Sequence, residues 1–343
     1  MTAVFARRLA GALSMSLSLA FAAGAARAQE VTVYTTREPA LFAPIAKAFT
    51  EASGVKVNTV FIKDGLAERV AAEGAGSPAD LLMTVDVGAL VDLVAKGVTQ
   101  PLASPEVEKI VPATLRDEAG NWTALSLRAR LVWAAKDAKL DAIAYEQLAD
   151  PKWKGKLCMR SGQHPYNTAL LAAYIAHHGE TKAEEWAQAV KANLARKPGG
   201  GDRDVARDIL GGVCQIGVGN SYYVGLMRSG KAGPEQKAWG EGVDVVMAKF
   251  AGGGTHVNAS GAALAKNAKN PAEARKLIAF LLSTPGQKLY AEQNYEYPVA
   301  PGVAPDPITQ ALGELKPDGL KLAEIAKHRQ TASRIFDKVG FDR

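Results

Sequence analysis

The feature that most constrains the fold is an alternation of strand-like and helix-like segments that begins at Val31 of this 343-residue chain. Runs rich in β-branched residues predict strands, and apolar residues spaced three and four apart predict helices. The first six segments, alternately strand and helix, are Val31–Tyr34, Ala40–Ala52, Val55–Phe61, Gly65–Ala75, Ala79–Val85 and Gly88–Lys96. This order predicts an α/β fold with a mostly parallel sheet.

Strand-like and helix-like segments continue to the end of the chain. The further predicted strands are Trp122–Ala134, short segments around Cys158 and Cys214, Val243–Phe250 and Gly261–Ala265. The further predicted helices are Tyr145–Ala149, Asn167–His178, Thr181–Ala195, Arg203–Gly211, Tyr222–Arg228, Glu273–Leu282, Pro285–Gln293, Leu320–Lys327 and Thr331–Val339. Asp202 stands where its carboxylate can cap the helix that follows it.

The first 28 residues have the pattern of a secretory signal peptide. Arg7 and Arg8 precede the apolar stretch Leu9–Ala23, and a small-x-small cleavage site ends at Ala28. The apolar stretch is shorter than the roughly 20 residues that a membrane span requires, although an uncleaved membrane anchor is an alternative. We expect cleavage near Ala28 and a freely soluble, periplasmic protein.

The charge of the mature chain argues against nucleic acid as a partner. Removing residues 1–28 takes away three arginines and no acidic residue, so the 41 basic residues become 38 against 35 acidic residues, a net charge of +3. The basic residues are scattered and are not interleaved with aromatic residues as on a nucleic-acid surface.

The length of the mature chain predicts two lobes. Residues 29–343 exceed what one hydrophobic core usually supports, and no long linker divides them. We therefore expect an N-terminal lobe of residues 29–127 plus 258–305 and a C-terminal lobe of residues 128–257 plus 306–343. Ligands of open α/β sheets bind at the carboxyl ends of strands. Two such lobes predict a ligand cleft between them, as in type II-like periplasmic binding proteins.

The two cysteines of the chain are candidates for a disulfide. Cys158 and Cys214 each lie in a short apolar segment of an exported protein, and both segments are typical of buried strands. Neighbouring strands of one sheet would bring the two sulfur atoms together. A pair of free buried thiols is the alternative.

Three tyrosines follow these cysteine-bearing strands. Tyr222 and Tyr223 come directly after the Cys214 strand, and Tyr166 follows the Cys158 strand, each at the start of a predicted helix. If the strands are neighbours, the three phenols converge. Three phenolates suit a small, hard, highly charged cation such as Fe³⁺, which prefers oxygen ligands. The alternative is that these rings only pack in the core or form a wall for an organic solute.

Two arginines on one strand are candidates for binding an anion. Three phenolates neutralise Fe³⁺ but leave coordination positions open, which carbonate or another small anion could fill. Arg128 and Arg130 alternate with Ala129 and therefore lie on the same face of the strand. A guanidinium group is suited to bidentate binding of an anion. Structural ion pairs are the alternative role for both.

Residues 31–301 resemble the periplasmic ferric-ion-binding proteins of bacterial iron ABC importers. The matching segments are Val33–Arg37, Ser77–Asp80, Leu125–Arg130, Asp150–Lys156, Arg160–Asn167, Gly200–Asp202, Asn220–Met227, His256–Asn258 and Tyr295–Pro298. The resemblance implies that Tyr166, Tyr222 and Tyr223 ligate iron. It also implies that Arg37 and Ser161 join the two arginines in binding an anion or supporting the ligands, and that the partner is an ABC permease in the inner membrane. We expect a monomer.

One position departs from the family pattern. Many relatives have a histidine and a tyrosine just after the arginine that matches Arg37, whereas this chain has Glu38 and Pro39. Glu38 is a possible metal ligand, but a surface carboxylate is the alternative that we prefer, because Pro39 fixes the local backbone. Two other functions stay open: a binding protein for thiamine or a polyamine, and an exported hydrolase using His164 and Asp86.

Overall fold

The computed structural model describes residues 29–343, so the predicted signal peptide lies outside the described residues. The strands are β1 (Glu30–Thr35), β2 (Lys56–Phe61), β3 (Leu81–Thr84), β4 (Thr99–Gln100), β5 (Trp122–Ala135), β6 (Leu157–Cys158), β7 (Ile216–Asn220), β8 (Val243–Val246), β9 (Val257–Ala265) and β10 (Tyr297–Pro298). None of the helices in this part of the chain has the length and apolar character needed to span a membrane.

The helices lie between these strands as an α/β fold requires. They are α1 (Pro39–Ser53), α2 (Leu66–Glu73), α3 (Val87–Ala95), α4 (Pro105–Ile110), α5 (Pro165–His178), α6 (Glu180–Asn193), α7 (Asp202–Leu210), α8 (Ser221–Arg228), α9 (Pro234–Gly242), α10 (Pro271–Leu282), α11 (Thr284–Asn294), α12 (Pro307–Gln310), α13 (Leu322–Lys327) and α14 (Arg329–Lys338). The predicted helix at Tyr145–Ala149 is a short 3-10 helix.

The strands form one mixed sheet in the order β2-β1-β3-β9-β5-β7-β6. Only β1 with β2, β1 with β3, and β6 with β7 are parallel, whereas β9 and β5 run antiparallel to their neighbours. The predicted α/β class is therefore confirmed, but the prediction of a mostly parallel sheet is wrong. The reason is that β5 and β9 pair with each other although residues 136–256 lie between them in the chain, and the helical pattern does not determine their direction.

Strand β5 belongs to both halves of this sheet. Its residues from Trp122 to Ala129 pair with β9, and those from Arg130 to Ala135 pair with β7 and β8. Its 13 residues up to Ala134 are all buried, because neighbouring strands and covering helices exclude water along its length. The change of partner between residues 129 and 130 sets two groups of strands side by side around one continuous strand.

The pairing of β6 with β7 fixes the geometry of the candidate site. These strands are parallel, with Leu157 opposite Ile216 and Cys158 opposite Gly217. Cys158 and Cys214 form a disulfide with a Cα–Cα separation of 5.9 Å, so the predicted disulfide is confirmed. Because both strands are parallel, the loops at their carboxyl ends emerge at the same edge of the sheet.

Candidate metal centre

The first pair of candidate ligands begins helix α8. The helix starts at Ser221, immediately after β7, so Tyr222 and Tyr223 lie in its first turn. Ser221 accepts a hydrogen bond from the Ala129 amide at 3.2 Å, which ties the start of the helix to β5. The two tyrosine rings contact each other in a tilted arrangement, with centroids 4.0 Å apart and an interplanar angle of 32°.

The third candidate ligand reaches the same place from the loop after β6. Tyr166 is the second residue of α5, and His164 caps this helix by accepting a hydrogen bond from the Tyr166 amide at 3.3 Å. The hydroxyl oxygens of Tyr166 and Tyr222 are 3.2 Å apart. The structure thus brings together the three tyrosines that the sequence placed on two loops, because their strands are parallel neighbours joined by a disulfide.

Three guanidinium groups surround the ring of Tyr166. The central carbon of Arg128 lies 5.5 Å from the ring centroid, that of Arg130 lies 5.9 Å away, and that of Arg160 lies 5.4 Å away. Cations at such distances from an aromatic face are attracted by its quadrupole. They also favour any negative charge that develops on the phenol oxygen.

Arg130 organises the loops that carry the tyrosines. Its terminal nitrogens donate to Asp202 at 2.6 Å, to Asn220 at 3.0 Å and to Asn167 at 2.6 Å. Asn220 lies opposite Arg130 in the β5–β7 ladder, so the strand register itself creates this contact. Asn167 follows Tyr166 directly, and Arg130 therefore fixes both tyrosine loops relative to the sheet.

Asp202 is the buried carboxylate of this arrangement. It also accepts from Arg160 at 3.3 Å and from the Asn220 amide at 2.9 Å. The prediction that Asp202 caps α7 is wrong, because Gly201 is the N-cap residue and Asp202 lies inside the helix. Its tertiary partners outcompete the local capping contact, since a fully buried carboxylate must be paired. We call Arg130, Arg160, Asn167, Asn220 and Asp202 the Asp202 network.

A second buried network lies on the other half of β5. Arg37 donates to Glu296 at 2.7 Å and to Ser260 at 2.6 Å, and Arg128 donates to Ser260 at 3.2 Å. Ser126 also donates to Glu296. Glu296 immediately precedes β10, which pairs with β5, and this register sets its carboxylate among the two arginines. We call Arg37, Arg128, Ser126, Ser260 and Glu296 the Glu296 network.

Glu296 is the residue of this site that the sequence did not single out. The one available clue was its place in the segment Tyr295–Pro298, which matches the resembled family. Burial raises its pKa, but Arg37, Arg128 and the hydrogen bonds from Ser126 and Arg37 lower the pKa more strongly, and the net shift is downward. Glu296 is therefore ionised at neutral pH and neutralises part of the arginine charge.

Two of the candidate ligands, Tyr222 and Tyr223, are protonated before a metal binds. Removal from water raises the pKa of Tyr222 well above that of a free phenol, and Tyr166 and Tyr223 act in the same direction. Burial, followed by the effect of Tyr166, raises the pKa of Tyr223 to about 12. Four buried or half-buried arginines in the two networks face two carboxylates, which leaves a formal charge of +2 beside neutral phenols.

The remaining predicted site residues contribute less directly: Glu38 and Asp86 lie outside this cluster of contacts, whereas Ser161 and His164 lie at its edge beside Asn167 and Tyr166. The Glu38 side chain is exposed at the N-terminus of α1 and has no hydrogen bond or ion pair among residues 29–343. Ser161 donates to Asp342 at 2.6 Å. Asp86 caps α3 with one carboxylate oxygen and accepts a hydrogen bond from Asn258 at 2.7 Å with the other, so both oxygens already have protein partners. Burial and neighbouring Arg160 lower the pKa of His164 to about 3, which leaves its imidazole neutral.

A two-lobed α/β fold with converging polar side chains at strand ends defines a solute-binding protein, and comparison with known proteins agrees. Residues 76–314 match the family described as bacterial extracellular solute-binding protein, and the chain belongs to that family. It is 37% identical to Iron uptake protein A1 of Synechocystis sp., over 91% of this chain and 88% of that protein. The proteins of this family, including that relative, are solute-binding transport proteins and not enzymes.

Two solved structures are similar over nearly the same range. A Bordetella ferric binding protein is 59% identical, with a TM-score of 0.87 over 92% of this chain and 100% of that one. A Trichodesmium protein, solved in complex with iron and citrate ligands, is 36% identical, with a TM-score of 0.87 over 91% of this chain and 99% of that one.

Proposed function

We propose that this chain is a periplasmic binding protein that captures ferric iron through Tyr166, Tyr222 and Tyr223 and delivers it to an ABC permease in the inner membrane. The observation that carries the proposal is the convergence of the three phenols, two of whose hydroxyl oxygens are 3.2 Å apart. The similar proteins described above are named for iron uptake or ferric binding, which supports iron over an organic cargo.

The chemistry of the ligand set selects a trivalent cation. Phenolate oxygens are hard ligands, and a metal ion must displace the proton of each phenol before it binds. The raised pKa values of Tyr222 and Tyr223 make this displacement costly for a weakly polarising divalent ion. Fe³⁺ offsets the cost because its charge stabilises each phenolate more strongly.

A small anion completes the site in this proposal. Three phenolates neutralise Fe³⁺, and the formal charge of +2 in the two networks then has no counterion. The Nε atoms of Arg128 and Arg160 are buried and have no hydrogen-bond partner among residues 29–343. Carbonate or a small carboxylate would satisfy both the charge and the free N–H groups. The relative with bound citrate supports an anion of this kind.

The site lies where the two lobes would meet. We propose the division into residues 29–127 plus 258–305 and residues 128–257 plus 306–343. Strand β5 supports it, because it changes pairing partners between Ala129 and Arg130. In this division the Asp202 network belongs to the C-terminal lobe, and most of the Glu296 network belongs to the N-terminal lobe.

The test is absorption spectroscopy of the purified protein, residues 29–343, titrated with ferric citrate. A phenolate-to-iron charge-transfer band that saturates at one iron per protein is the expected result. A protein that stays colourless and fails to compete with citrate for iron would exclude the proposal. Thiamine and spermidine serve as controls, and saturable binding of either would favour an organic cargo.

A further inference from the structure

The two tyrosine loops differ in how the sheet supports them. Tyr222 and Tyr223 follow the five-residue strand β7, and Ser221 bonds directly to β5. Tyr166 follows the two-residue strand β6, and residues 159–164 run outside the sheet before α5 begins. The Tyr166 loop therefore needs support from elsewhere in the chain.

That support comes from residues 329–342. The Asp342 carboxylate accepts hydrogen bonds from the Ser161 hydroxyl at 2.6 Å and from the Gly162 amide at 2.8 Å. A carboxylate that binds two donors of one loop at these distances restricts its backbone more than a neutral acceptor does. The Gln163 backbone amide also donates to Asp342 at 3.5 Å, and its side chain is held by Asp337 at 2.9 Å and by Ser333 at 2.6 Å.

Gly162 lets this segment pack directly on the loop. A Cβ atom at residue 162 would lie 2.8 Å from Cγ of Phe336 and 2.9 Å from Cδ1 of Phe341. Real Cβ atoms do not approach other atoms so closely, so only glycine allows the contact. The two phenylalanine rings pack on each other with centroids 4.7 Å apart and present one apolar surface to the loop.

The loop in turn holds the first turn of α5. The Ser161 carbonyl accepts from the Asn167 amide group at 3.1 Å, and the Gly162 carbonyl accepts from the Thr168 hydroxyl at 3.1 Å. Asn167 and Thr168 are the two residues after Tyr166. A continuous set of hydrogen bonds therefore joins the Asp342 carboxylate to the backbone that carries the phenol.

We propose that Asp342 is a positioning residue for Tyr166, an inference that rests on the proposed function. It never touches the iron; it fixes the loop so that the Tyr166 phenol meets the other two without reordering. Removing it leaves Ser161 and Gly162 without their acceptor and lets Tyr166 move, so that ordering the loop becomes part of the cost of binding.

The test compares Asp342→Ala with Arg343→Ala, a control at the adjacent exposed position. Asp342→Ala is expected to weaken ferric affinity by roughly 10–100-fold, the usual cost of losing an outer-shell partner, and to shift the charge-transfer band. Arg343→Ala is expected to change neither. If Asp342→Ala unfolds the metal-free protein at the assay temperature, Asp342→Asn, which keeps the size of the side chain, takes its place.

A double-mutant cycle with Tyr166→Phe separates positioning from general support of the fold. Once Tyr166 has lost its hydroxyl, Asp342→Ala should cost no further affinity, because its effect passes through that hydroxyl. Equal losses in the presence and absence of the hydroxyl would overturn the inference, as would an unchanged affinity and band for Asp342→Ala alone. A wild-type protein that binds no ferric ion would instead refute the proposed function.

Discussion

The Asp202 and Glu296 networks have nearly the same composition, but the first holds the tyrosine loops in place and the second holds neighbouring strands together. Each centres on one buried carboxylate that faces two arginines. The Asp202 network bonds to the loops that carry the tyrosines, whereas the Glu296 network joins β1, β5, β9 and β10 to one another. Similar charge therefore positions the tyrosine loops on one half of β5 and strands on the other. Arg128 connects the two, because it bonds to Ser260 and also lies over the Tyr166 ring.

Acidification is expected to have the largest effect, and to act on the tyrosines and the bound anion rather than on the Glu296 network. The raised pKa values of Tyr222 and Tyr223 keep both phenols protonated without iron, so binding releases their protons and affinity falls as pH falls. Each released proton costs about tenfold in affinity per pH unit. The lowered pKa of Glu296 keeps the other network ionised over the same range.

The measurement is ferric affinity between pH 8 and pH 5, together with proton release on iron binding at pH 7. Release of protons on iron binding is expected from the phenols of Tyr222 and Tyr223, whose pKa values are raised. An affinity independent of pH would exclude tyrosinates as the main ligands.

Tyr223→Phe is expected to have the next largest effect. It removes one phenolate while keeping the stacked ring, so the loss should exceed the roughly 10–100-fold that an outer-shell substitution costs. The charge-transfer band should weaken and shift. Tyr297→Phe, which alters a buried tyrosine outside the cluster, is the matched control. Equal affinities for the two variants would contradict the assignment of Tyr223.

Two amide substitutions compare the networks directly. Asp202→Asn and Glu296→Gln each leave two buried arginines without their counter-charge, and each should lower the free energy of unfolding by about 3–5 kcal/mol. Only Asp202→Asn also releases the tyrosine loops, so it should reduce ferric affinity more. Chemical denaturation and iron titration of both variants provide the comparison. Equal losses of affinity would show that the two networks do not divide their roles in this way.

Loss of the disulfide should affect the tyrosine half selectively. The bridge closes a loop of 56 residues between Cys158 and Cys214, and its removal should cost about 4 kcal/mol in the chain-entropy model. Relative to the wild type, the Cys158→Ser, Cys214→Ser double variant should therefore show a larger increase in hydrogen exchange in β6 and β7 than in β1 and β2. It should also bind iron more weakly. An equal increase in hydrogen exchange in all four strands would argue against a local role for the disulfide.

Glu38→Gln is expected to have the smallest effect. The side chain is exposed and has no polar partner among the described residues, so affinity and band should match the wild type. Glu51→Gln, on the same helix, is the control. If Glu38→Gln is as damaging as Tyr223→Phe, then iron is ligated from both lobes, and a site of tyrosines plus an anion is wrong.

Local patterns in the sequence predicted the longer helices and strands and the loops that carry the tyrosines, because a strand, a loop and a helix start are each set by adjacent residues. They missed short elements such as α4, α9, β4 and β10. They could not predict the partners of Glu296, since Arg37 lies 259 residues away. They gave the wrong role for Asp202, because its main partner, Arg130, is 72 residues distant and overrides the capping preference. The strand from Val243 was expected to reach Phe250 but ends at Val246, where β5 ceases to pair with it.

The contact between Asp342 and Ser161 joins residues 181 positions apart, and this separation bears on export. A polypeptide that crosses a membrane N-terminus first delivers Tyr166, Tyr222 and Tyr223 long before Asp342. During that interval the Tyr166 loop lacks the hydrogen bonds that Asp342 supplies to Ser161 and Gly162. If the chain is exported and binds iron as proposed, the contacts that position Tyr166 are complete only after residues 329–342 have crossed the membrane.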